Sequence, residues 1–87
     1  MTWWRERQAL RLVARNLTQE FAALNVEGVG FHVRAHGRRS LELLVWPEGG
    51  LDNFVVPAKG ATATRQATDD LRRIVANYAV GRRPPFE

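Results

Sequence analysis

Cysteine is absent from all 87 residues, which excludes a disulfide framework and any thiolate-held metal centre. Lysine is nearly absent too: of 13 basic side chains, Lys59 alone is lysine and the rest are arginine. Carboxylates are in the minority, nine against those 13, so the formal charge is +4. No apolar run reaches the ~18 residues of a membrane-spanning helix, and the opening Met-Thr-Trp-Trp-Arg lacks the apolar core of a secretory signal. The expectation is a soluble, cytoplasmic chain with no membrane partner. There is no glycine-rich phosphate loop or nucleophile elbow, and Gly28-Val-Gly30 precedes a strand instead of joining a strand to a helix. No cofactor is expected.

What is present is a globular composition, 45% hydrophobic and 25% charged, in a length that allows one modest core. From Trp3 to Leu24 the apolar residues Leu10, Val13, Leu17, Phe21 and Leu24 recur at spacings of three and four, one face of an amphipathic helix. Arg7, Arg11 and Arg15 follow one another at i, i+4 and so form a line on its flank. Asn25, Glu27 and Gly28 close it. Val29 to His36 then alternates, with Val29, Phe31, Val33 and Ala35 on one face and His32, Arg34 and His36 on the other. Beyond the turn Gly37-Arg38-Arg39, Leu41, Leu43 and Val45 face inward, and Ser40, Glu42, Leu44 and Trp46 face outward. Pro47-Glu-Gly-Gly50 is a turn, and Leu51 to Val56 is a third strand with Phe54 and Val56 inward and Val55 outward. Thr62 and Thr64 are candidate N-caps of a second helix buried through Ala67, Leu71, Ile74, Val75 and Tyr78 and ended by Gly81.

The connections are too short for crossover helices, so the strands form an antiparallel meander. The predicted fold class is α+β: one αβββα domain over residues 1–81, two helices on one face of a three-stranded sheet, and a short basic tail over 82–87. His32 and His36 share a strand face but stand ~13 Å apart, too far to bind one metal ion together. Metal chemistry is not expected.

The element order resembles the double-stranded-RNA-binding-domain fold. The stretch from His36 to Ala79 also resembles the HicA-type mRNA interferase toxins that share it. The residues behind the likeness are Gly37 in the first hairpin, the strand end Trp46-Pro47, Phe54-Val-Val-Pro57 before the basic Lys59-Gly60 loop, and the final helix. The resemblance implies RNA as ligand, with Lys59 and Arg65 at the basic start of the last helix and Arg72 one face along. Where the toxins carry a cleaving histidine after the hairpin glycine, this chain has Arg38 and Arg39, so no catalytic residue is assigned.

The leading expectation is a small non-enzymatic module that grips nucleic acid, RNA above DNA, through phosphate. Its contacts are Arg34, Arg38, Arg39, Lys59 and Arg65, extended by Arg7, Arg11 and Arg15. Two alternatives stay open. One is a small phage or mobile-element protein that binds an acidic host protein complex and inhibits it, with Leu44, Trp46 and Val55 as its interface or as a homodimer surface on the open sheet face. Trp3 and Trp4 either cap the core or join that interface. The other alternative is a toxin-like ribonuclease using His32 or His36.

Overall fold

In the computed structural model, which describes residues 2–86 and the side chains of residues 4–86, the chain runs α1 (Thr2–Ala23), β1 (Gly30–His36), β2 (Ser40–Trp46), β3 (Asp52–Pro57) and α2 (Gly60–Ala79). The sheet order is β1-β2-β3, antiparallel throughout. Both helices lie on one face of the sheet, giving the predicted αβββα fold. The predicted alternation holds along all three strands. Val33, Leu41, Leu43 and Val45 are buried beneath Leu10, Ala14, Leu17 and Phe21 of α1 and Ala67, Leu71, Val75 and Tyr78 of α2. Removing these large apolar groups from water stabilises the fold by ~1.5–3 kcal/mol for each fully buried side chain.

The hairpin turn Gly37–Arg39 sets the register, because Arg38 is its midpoint. Arg34 then lies opposite Glu42, and Val33 opposite Leu43. Gly37 takes a φ of 65°, a left-handed conformation that glycine adopts without penalty. α1 is pinned across the open edge of β1 by one hydroxyl. Thr18 Oγ1 accepts the Val33 N–H at 2.9 Å and directs its own proton at the Val33 carbonyl, 3.0 Å away, and the Ala14 carbonyl, 2.9 Å away.

The element ends depart from expectation in two places. Asn25 is the first left-handed residue after α1 (φ 53°), and its N–H bonds the Ala22 carbonyl at 3.1 Å. The chain therefore turns away one residue after Leu24, which is exposed instead of buried. α2 begins at Gly60 with Lys59 in the N-cap position, upstream of the predicted Thr62 and Thr64. Thr64 lies inside the helix, where its hydroxyl bonds the Gly60 carbonyl at 2.7 Å and the Ala58 carbonyl at 3.0 Å. At the other end Gly81 stops α2 as predicted. The Gly81 N–H bonds Tyr78 O and the Arg82 N–H bonds Asn77 O, the paired bonds of a Schellman motif.

The tail folds back against the body. Phe86 stacks on Phe54 at 6.1 Å and meets Tyr78 edge-on at 5.4 Å, and the Arg83 guanidinium sits 5.4 Å over the Tyr78 ring. Tyr78 is itself anchored, its hydroxyl donating to Asp52 Oδ2 at 2.5 Å. No helix among the described residues is long and apolar enough to cross a membrane.

Candidate functional site

α1 divides the basic residues singled out in the sequence between two surfaces. Its Arg7, Arg11 and Arg15 line faces the edge of β1. There these residues form one wall of a groove of about 470 Å³ whose other wall is His32 and Arg34. Thr18 and Val33, whose hydrogen bond ties helix to strand, also line it, as does Gln19. Among the described residues no carboxylate lines this groove. Four residues of helix rise by ~6 Å, so the backbone positions of the three arginines stand at intervals commensurate with consecutive phosphates of a polynucleotide strand.

On the other flank of α1, Arg38 from the hairpin turn, Lys59 from the β3–α2 loop and Arg65 from the second turn of α2 surround a second groove, with Glu6 beside them. Arg39 lines neither groove. Its side chain is exposed in the hairpin turn, and its carbonyl accepts the Ala58 N–H at 2.7 Å, extending the β2–β3 pairing by one bond. The sequence-predicted patch is therefore two patches, with the hairpin turn between them. Arg72, the outlying member of the basic cluster that the resemblance implied, is committed elsewhere. Its Nε and Nη2 bond both oxygens of Glu20 at 2.7 and 2.8 Å, joining α2 to α1.

Arg34 is not a free cation either. Its Nε donates to Glu42 Oε1 at 2.6 Å, Asn53 Nδ2 bonds the other oxygen at 3.2 Å, and His36 Nδ1 stands 3.8 Å from Oε1. These partners cover Glu42 so well that it is buried although it sits on the helix-free face of the sheet. The Arg34 hydrogen bond, followed by that from Asn53, holds the Glu42 carboxyl below its usual range. With both oxygens occupied and proton affinity lowered, Glu42 is suited to holding a guanidinium and poorly suited to accepting a substrate proton. Sequence reading did not single out this role. The signal was there, since a hairpin centred on Arg38 puts residues 34 and 42 side by side.

The interface candidates share the helix-free face. Trp46 and Val55 are exposed and Leu44 is half-buried. The indole of Trp46 lies across its strand partner Gly30, where a β-carbon would sit 3.9 Å from Cε3. Trp4 is exposed, which does not fit a core cap, and the Trp3 side chain lies outside the described residues. Among the described residues no three His, Asp or Glu side chains converge on a point where they could hold a metal ion.

Neither protein-family profiles nor curated proteins nor solved structures give a match to this chain. The functional reading therefore rests on the grooves themselves.

Proposed function

We propose that the chain is a small non-enzymatic nucleic-acid-binding module that holds a polynucleotide backbone in the groove between α1 and β1. The observation that carries this reading is the meeting of Arg7, Arg11 and Arg15 with His32 and Arg34 in a groove that no carboxylate among the described residues lines. Arginine suits the task because its planar fork bonds a phosphate in two places. Arg34 contributes its terminal nitrogens while Glu42 fixes its Nε, so this side of the groove is held in place before the ligand arrives. RNA is the expected ligand, on the resemblance of the element order to double-stranded-RNA-binding domains.

Fluorescence anisotropy with labelled RNA and DNA, single- and double-stranded, over a range of salt concentrations tests this. Affinity is expected to fall with a log–log slope of about 0.7–0.9 per phosphate contacted. Replacing Arg7, Arg11 and Arg15 together by Ala should lower that slope by about two to three. Binding that ignores salt, or none to any of the four ligands, overturns the reading.

A second reading is favoured by one observation: Trp46 and Val55 are exposed on a face that neither helix covers, toward opposite ends of β2, with half-buried Leu44 on the same face between them. It makes the chain an interaction protein, of the kind that inhibits a host complex, or a homodimer through that face. Light scattering after gel filtration, together with recovery of a stoichiometric protein partner that Trp46→Ala abolishes, distinguishes it from the first.

A further inference from the structure

The groove on the other flank of α1 has a different character from the one assigned to nucleic acid, and the two share no lining residue. Its floor is aliphatic, formed by Leu10 and Val13 of α1 with Ala58 of the β3–α2 loop and Ala61 of α2; Leu10 and Ala58 are buried, so the surface open to a ligand comes from half-buried Val13 and exposed Ala9 and Ala61. Its rim carries Arg38, Lys59 and Arg65, from three separate parts of the chain, against the lone carboxylate of Glu6. The volume, about 500 Å³, falls in the ~300–1,000 Å³ range of small-molecule sites.

The three cations come from three separate parts of the chain and ring one pocket, where Arg7, Arg11 and Arg15 follow a line along one helix, so a single anionic head suits them better than a polynucleotide backbone. A compact inorganic anion is a poor occupant as well, because it leaves the apolar floor facing water. The chemistry that answers both halves is an apolar, non-aromatic body with one anionic end. We propose that this groove binds a small aliphatic carboxylate, its chain along Ala9, Val13 and Ala61 and its carboxylate among Arg38, Lys59 and Arg65. The head group has the charge complement of a rim that carries three cations to one anion. The tail removes aliphatic surface from water on both sides. This site does not depend on the nucleic-acid reading.

Decanoate is the probe, titrated below its aggregation concentration into the whole chain and followed by calorimetry and by the amide shifts of Ala58, Gly60 and Ala61. Saturable one-to-one binding is expected, with decanol and adenosine monophosphate each at least about tenfold weaker because each supplies half of the required chemistry. Replacing Arg38, Lys59 and Arg65 together by Ala should weaken decanoate about tenfold or more. Ala9→Leu with Ala61→Leu, at two exposed positions of the lining, should block the tail without altering charge. Circular dichroism checks that each variant is folded. The Arg7, Arg11, Arg15 triple variant should lose polynucleotide and keep decanoate, so the two assignments fail separately. Decanol or adenosine monophosphate binding as well as decanoate overturns the proposal, as does undiminished affinity in either groove variant.

Discussion

Replacing Thr18 by Val tests how the helix and sheet that build the α1–β1 groove are held together. The two side chains have nearly the same shape and helix propensity, so the change removes the hydroxyl and little else. Thr18 Oγ1 is the acceptor for the Val33 N–H at 2.9 Å, at a part-buried site on the β1 edge that α1 overlies. The lost proton matters less, since it is shared between the Ala14 and Val33 carbonyls. A donor left without a partner costs ~1–3 kcal/mol, and partial burial places this site in the lower half, at about 1–2 kcal/mol. In a domain of this size that lowers Tm by ~4–8 °C per kcal/mol. Urea and thermal melts measure the loss, and amide exchange at Val33 should accelerate by a matching factor. Thr18→Ser keeps the oxygen and should restore most of the stability. A Thr18→Val protein within about 0.3 kcal/mol of the parent, with Val33 exchange unchanged, would mean that water replaces the hydroxyl at no cost and that this bond does not hold the groove.

Glu42→Gln should cost about 1 kcal/mol near neutral pH, no more, because Arg34 is more than half exposed and can rehydrate when its partner is lost. The folded-state pKa of Glu42 lies below its unfolded value of about 4.5, so its contribution is present above that pH and disappears as pH falls through the folded value. Melts between about pH 6 and 3 should therefore fall less steeply for Glu42→Gln than for the parent. Tyr78→Phe removes the bond to Asp52 and should cost ~1–2 kcal/mol in a urea melt. Burial first, and then the Asp52 bond, pushes the Tyr78 phenol above its usual value. Its stabilisation is thus full below pH ~10 and is lost as pH rises further, which an absorbance titration of this one tyrosine reads directly. Glu20 and Arg72 are bonded in two places but half-exposed, so a double-mutant cycle should give ~0.5 kcal/mol, diminishing in high salt.

The sheet was legible because alternation has a period of two, and a glycine turn centred on Arg38 leaves one register that buries Val33, Leu41, Leu43 and Val45 together. The stripe of α1 was legible for the same kind of reason. Periodicity shows that Arg7, Arg11 and Arg15 share a flank, but not which neighbour that flank meets. That choice is made by the direction in which α1 crosses β1, and Thr18 fixes it through a bond between residues fifteen apart in sequence. The start of α2 misled because Thr62 and Thr64 have capping side chains. The chain turns into the helix earlier, at Gly60 with a φ of 86°, a backbone state open to glycine and not to threonine. The packing of Phe86 onto Tyr78 had no local signal at all, since prolines before it read only as an end to helix.

The distribution of charge pairs gives the basic surface its meaning. Glu20–Arg72, Asp69–Arg72 and Asp70–Arg73 gather toward the middle of α2, and Arg34–Glu42 lies on the helix-free face. Arg7, Arg11, Arg15, Arg38, Arg39, Lys59 and Arg65 make no ion pair among the described residues. All but Arg39 line one or other of the two grooves on the flanks of α1. An even scatter would have kept the chain as soluble with less repulsion between neighbouring cations. Their place along the grooves is what the two proposed ligands require. The same helix holds the apolar stripe that builds the core and, on its two flanks, the walls of both grooves, so the rotation of α1 about its axis sets the shape of each. Mutations that loosen α1 against β1 are therefore expected to act on ligand binding and on stability together, whereas changes at Arg38 or Arg65 act on binding alone.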